Sequence, residues 1–196
     1  MRTVTSATAA APVRLGVAAT LLVALVAVVV AGRAESAPQA WSASLAPADT
    51  CAGADDRGAA AAAQRRSVRC LVNWARVHAG QPRLRPSRAL RRAAVIKGQG
   101  VASCRQLSHT PCNSAVTDAV RRAGYRYSTF GENLFAGMER QVSPRDVVGA
   151  WLDSPGHRAN ILRSGFRELG LAGVQAQGLL GDGTSVVWVA AFGAPR

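Results

Sequence analysis

The residues best able to do chemistry stand where the sequence around them changes character. In Val147–Leu162, VVGAWLDSPGHRANIL, residues Val147, Val148 and Trp151 fall on or near one face of an amphipathic helix that breaks at Ser154-Pro155. Ser154 suits an N-cap and Pro155 the first helical position, so a second short helix is predicted to begin there. His157 then lies in its first turn, where the positive end of the helix dipole disfavours imidazolium. A neutral imidazole held at a break between helices suits a metal site or a general base; the plainer alternative is a capping turn in which Gly156-His157 is only local geometry. His109, in Ser108-His109-Thr110-Pro111, lies between Cys104 and Cys112, and a disulfide between those two would hold it in a closed nine-residue ring. Glu132 stands in the apolar, glycine-bounded segment Phe130–Gly137. A carboxylate in such surroundings must be paired, or solvated in a cleft; its plainer role is to bond backbone groups in a buried turn. The third histidine, His78, falls in the last turn of a helix and reads as structural.

The rest of the chain places these groups in a compartment. Leu15–Gly32 is an unbroken apolar run preceded by Arg2 and Arg14 and followed by small residues, with Ala34-Glu35-Ser36 as a small-x-small cleavage site. Residues 1–36 therefore read as a secretory signal peptide or, because the run is just long enough to span a bilayer, as an uncleaved N-terminal anchor. Both readings put the remainder outside the cytoplasm. Residues 37–63 read as a flexible Ala/Ser/Pro-rich linker partly tied down by Cys51, with Ala59–Ala63 as a candidate helical start, and 64–196 as one domain. The four cysteines are an even number in an apparently exported chain, which points to two disulfides. Of the three connectivities, the local pairs Cys51–Cys70 and Cys104–Cys112 are preferred. Zinc binding by the cysteines is disfavoured, because there is no C-x-x-C pair. The formal net charge is +13, carried almost wholly by arginine. That favours contact with an anionic cell-envelope polymer or lipid. The arginines are scattered with few interleaved aromatics, so no nucleic acid is expected, and the domain is expected to be a monomer.

Hydrophobic periodicity predicts helices first and strands late. Ser67–Ala79 carries Val68, Leu71, Val72 and Ala75 at helical spacing, with Asn73 and Trp74 on its flank. A second helix starts after Ser87 with Leu90, Ala93, Ala94, Lys97 and Val101 on one face, and Arg88, Arg91 and Arg92 on the solvated side. Ser114 is expected to cap a third helix, with Val116, Ala119, Val120 and Ala123 inward and Gly124 just past its end. Ser143-Pro144-Arg145-Asp146 begins the helix of Trp151. Arg167–Gln177 and Thr184–Phe192 read as strands, the second apolar enough to be central and buried on both faces.

Three patches, Ser108-His109, Gly131-Glu132-Asn133 and Ala150-Trp151…Ser154-Pro155-Gly156-His157-Arg158-Ala159-Asn160-Ile161-Leu162, together resemble the CAP (SCP-like) domain of cysteine-rich secretory and plant pathogenesis-related proteins, in its short bacterial secreted form. The resemblance covers about Ser67–Gly193. It implies an α+β fold, a three-layer α-β-α sandwich with a small antiparallel sheet, and a cleft with two histidines and two acids. His109, Glu132 and His157 match three of those positions. The second acid departs from the family pattern, with Asp153 as the nearest candidate. With the export segment, the disulfides and the basic surface, this points to an exported ligand-binding or interaction module at the cell envelope. Its alternative is an extracytoplasmic, peptidase-like hydrolase in which His109 and His157 hold zinc and Glu132 is the general base.

Overall fold

The computed structural model describes residues 44–196. The apolar run Leu15–Gly32 lies outside them; among the described residues no helix is long and apolar enough to cross a membrane. The elements run α1 (Ala61–His78), β1 (Arg85–Pro86), α2 (Arg88–Cys104), α3 (Asp118–Arg122), β2 (Tyr127–Met138), α4 (Pro144–Asp153), α5 (Pro155–Leu162), β3 (Glu168–Gln177) and β4 (Thr184–Pro195). The four strands form one sheet in the order β1-β3-β4-β2. Its two long pairings, β2 with β4 and β3 with β4, are antiparallel, whereas the short β1 runs parallel to β3, so the sheet is mixed rather than purely antiparallel.

Helices cover both faces of this sheet. Val68, Leu71 and Val72 of α1 pack with Val147, Val148, Trp151 and Leu152 of α4 and Ile161 of α5 against Leu169, Leu171, Trp188 and Phe192. On the opposite face Leu90, Ala93, Ala94 and Val101 of α2 and Val120 of α3 pack against Ala172, Val187, Val189 and Ala191. Consecutive residues of β4 therefore serve opposite cores. That is why the Val186–Phe192 run is apolar throughout instead of alternating.

Several local predictions are met: Ser87 Oγ accepts from the Leu90 N–H, Ser143 and Asp146 form a reciprocal capping box behind Pro144, and Gly124 has φ +71° just beyond α3. Both disulfides take the local pairing, Cys51–Cys70 and Cys104–Cys112.

Four expectations differ from the structure. First, α1 begins at Ala61, inside the Ala59–Ala63 candidate start and ahead of Ser67, and the segment before it touches the domain core at a few points. Ala46, Cys51 and Ala54 are buried in the α1/α4 core, and the Ala54 carbonyl accepts from the Arg145 N–H. Second, Ser114 caps no third helix. Its hydroxyl donates to the Pro111 carbonyl, Asp118 takes the Ala115 N–H instead, and Val116 is exposed. Third, Phe130–Gly137 is not a turn but the middle of β2. Fourth, Asn73 is buried rather than on a flank, its side-chain amide bonding both the N–H and the carbonyl of Leu84.

Candidate functional site

The site is built along the outer edge of β2. Among the described residues that strand pairs only with β4, so every second backbone group on its other side needs a partner. The carbonyls of Glu132 and Leu134 find theirs in side chains: Asn160 Nδ2 donates to Glu132 O at 3.1 Å, and Trp151 Nε1 donates to Leu134 O at 3.0 Å. Asn160 also donates to Asn133 Oδ1, and Asn133 Nδ2 donates to the His157 carbonyl at 3.0 Å. The α4–α5 pair thus closes the sheet edge, and the first turn of α5 is tied to the strand. Gly131 is needed for this closeness. A Cβ there would stand 2.7 Å from Phe166 Cζ and 3.0 Å from Asn160 Oδ1.

Two further side chains converge on Glu132, whose own side chain is 3 % exposed. His109 Nδ1 lies 2.8 Å from Glu132 Oε1. An ionised carboxylate only accepts, so Nδ1 carries the proton and Nε2 is left as the outward nitrogen of a ring that is 47 % exposed. From the other side Lys97 Nζ lies 3.6 Å from the same oxygen, with the lysine side chain 2 % exposed. Its ammonium also donates to the His109 carbonyl and reaches the Val116 carbonyl at 3.5 Å. Lys97 is the only lysine in the chain. A compact ammonium with three freely directed donors suits this enclosed point, which a planar guanidinium would not.

His109 is presented by a stiff loop. Arg105 ends α2 in the left-handed region at φ 51°, the Cys104–Cys112 bridge closes the ring, and Cys112 and Asn113 are again left-handed at φ 56° and 58°. His157 enters from the first turn of α5. Burial holds its pKa below the ordinary histidine value, and the nearby His109 ring pushes it further the same way. Both effects favour the neutral form of the ring.

Of the residues expected at the site, Glu132, His109 and His157 are brought to one region. Asp153 ends α4 on the exposed surface. Among the described residues no three His, Cys, Asp or Glu side chains gather so as to hold a metal ion. A zinc site needs at least three protein ligands. Here Glu132 is occupied by His109, and a cation beside it would meet the Lys97 ammonium. The donor set fits a metal poorly.

Sequence reasoning misses two buried cations. It places Lys97 on the packed face of α2 with no role. Arg76 of α1 is also buried: its guanidinium donates to the carbonyls of Pro82, Ile161 and Arg163, capping the end of α5 from the neighbouring helix of the same core. The one available signal is a basic residue at each helix's apolar periodicity, where a buried charge demands partners.

Residues 69–192 match the family model described as the cysteine-rich secretory protein family, CAP. The chain belongs to that family. It is 33 % identical over 107 residues to the uncharacterized protein YkwD of Bacillus subtilis, a match that takes in 54 % of this chain and 40 % of YkwD. The chain thus spans less than half of that relative's length. Among solved structures, an outer surface protein of Borrelia burgdorferi superposes with a TM-score of 0.59 at 16 % identity, covering 68 % of this chain and 93 % of that one. An extracellular protein containing a SCP domain from Bacillus anthracis gives 0.54 at 18 % identity, covering 69 % and 44 %. At these identities the structural matches establish the CAP fold alone, and the α+β architecture agrees with it.

Proposed function

We propose that this CAP domain is an extracytoplasmic ligand-binding module whose cleft works without a metal. The observation that carries the reading is the internal neutralisation of Glu132, held between His109 Nδ1 at 2.8 Å and Lys97 Nζ at 3.6 Å. A carboxylate so engaged is a positioning group: it fixes the His109 ring and its tautomer and leaves Nε2 to accept a hydrogen bond. The neutral His157 ring beside it adds a second imidazole able to donate or accept. The pair suits a polar ligand bearing hydroxyl or amide groups. The extracytoplasmic placement is supported by the apolar run at the N-terminus, the two disulfides and the extracellular and outer-surface relatives. The hydrolase alternative needs Glu132 to act on a water as general base, and His109 and Lys97 both engage its Oε1.

The test compares the purified chain with His109→Gln and His157→Gln variants for sedimentation with isolated cell-wall polymer and with anionic and sterol-containing vesicles. Binding that falls in both variants, with no change on chelation, supports the reading. Binding no stronger than that of an unrelated protein of equal net charge overturns it, as does binding that requires added zinc.

A further inference from the structure

A second feature lies at the opposite edge of the sheet from the His109–Glu132 cleft. β1 covers β3 only at Glu168 and Leu169, because the strand is just Arg85–Pro86. Beyond it, Leu169, Gly170 and Leu171 floor a groove of about 240 Å³ between α1 and α2. Arg65 and Arg69 stand on the α1 wall and Arg88 and Arg91 on the α2 wall, with Pro86 and Ser87 at one end. No acidic residue lines the groove, and none of the four arginines has an ion-pair partner among the described residues.

The walls are held together by close backbone contact. A Cβ on Gly170 would stand 2.1 Å from the Leu90 carbonyl carbon and 2.2 Å from the Arg91 nitrogen, so only glycine lets α2 lie this low on β3. That contact sets Arg91 beside Arg65, whose pKa is held below the usual arginine value by burial and then by the charges of Arg91 and Arg66. Like charges drawn together without a counter-charge cost stability, and an anion between them removes that cost.

We infer that the groove of Arg65, Arg69, Arg88 and Arg91 is a docking site for an extended, phosphate-bearing polymer of the cell envelope. Guanidinium forks on two facing walls match phosphate oxygens. The exposed large apolar residues among those described, Val77, Leu107, Val116 and Leu180, do not line the groove. It therefore lacks the apolar wedge by which a protein enters a bilayer. No aromatic side chain lines it either, so it offers no platform on which nucleic-acid bases could stack. A base-free polyphosphodiester fits both absences.

The test titrates the full chain with poly(glycerol phosphate), with an oligothymidylate of matched charge and with anionic vesicles. The variants are Arg88→Gln/Arg91→Gln, Arg65→Gln/Arg69→Gln, and the control Arg122→Gln/Arg126→Gln, whose residues do not line the groove and which carries the same change in net charge. Each groove pair should weaken polymer binding roughly 30-fold, on the order of fivefold per arginine near an anionic surface. Each should also lower the slope of log affinity against log salt by about 1.5, at roughly 0.7 per lost phosphate contact. The control pair should change both by far less. Equal losses in groove and control pairs overturn the proposal, as does tighter groove-dependent binding to oligothymidylate or to vesicles. Arg88 and Arg91 are exposed, so their variant folds even if the half-buried Arg65 proves structural. The groove is read on Arg65, Arg69, Arg88 and Arg91 and the cleft on His109 and His157, so either proposal can fail without the other.

Discussion

Replacing Lys97 by methionine removes one partner from a buried pair. The lysine and Glu132 side chains are 2 % and 3 % exposed, 3.6 Å apart. The variant keeps the aliphatic stem and loses the ammonium, and with it the bonds to the His109 and Val116 carbonyls. Removing one member of a buried ion pair costs about 3–5 kcal/mol, because the other charge stays buried with less compensation. His109 still contacts the carboxylate, so the lower end, about 3 kcal/mol, is expected. That is a large share of the roughly 5–15 kcal/mol by which a domain is stable. Urea denaturation followed by far-ultraviolet circular dichroism measures it. The companion variant Lys97→Met/Glu132→Gln should cost less than the sum of the two single changes, with a coupling of about 2 kcal/mol. If Lys97→Met lies within about 1 kcal/mol of wild type, or the two changes simply add, the ammonium does not neutralise Glu132 and the metal-free reading of the cleft loses its basis.

Three other outcomes follow from the same geometry. The folded state holds the His157 pKa below its unfolded value of about 6.5. The unfolded chain therefore binds the proton first, and the stability this group contributes is full above about pH 6.5 and is lost as pH falls through the folded pKa; the urea midpoint of His157→Gln should fall less between pH 7.5 and pH 5 than that of wild type, and equal slopes would refute it. Trp151→Phe leaves the buried Leu134 carbonyl without the indole N–H and should cost about 1–3 kcal/mol in the same assay, with added hydrogen exchange at the β2 edge; unchanged exchange there would count against the edge-closing role. Cys51→Ala/Cys70→Ala opens a loop with a sequence separation of 19 and should cost about 3 kcal/mol in the chain-entropy model, seen as a lower melting temperature; a variant as stable as wild type would show that the buried contacts of Ala46 and Ala54 hold that segment unaided.

How much of this was legible in the sequence depended on whether a residue's role is set by its neighbours in the chain or by distant ones. The capping box at Ser143 and Asp146 is local chemistry, and it formed where the sequence put it. The apolar run of β4 was legible because burial on both faces leaves a signature in composition. β2 was not, because Gly131 and Gly137 break its alternation and a buried Glu sits between them. The glycines answer to Phe166, Asn160 and Val142, which are far off in sequence or on a following turn. Ser114 looked like a cap, but Asp118 competed for the same turn and moved the helix start to Asp118 itself. At the cleft, His109, Glu132 and His157 were visible by residue type. Lys97 and Arg76 were not singled out, since what makes a buried cation tolerable is a set of carbonyls supplied by other segments.

The position of β4 bears on the order in which the molecule can be made. β2 and β3 never pair with each other; both pair with β4, the latest of the strands in the chain. A chain emerging N-terminus first therefore has no long strand pairing to form until Thr184–Pro195 arrives. Both disulfides join cysteines that are neighbours in sequence order, and both close by residue 112. In an oxidising environment the bridges can be sealed pairwise as the chain emerges, with His109 already in its ring, while the sheet and both cores wait for the final strand. The long strand pairings thus form late, at a rate governed by long-range contacts.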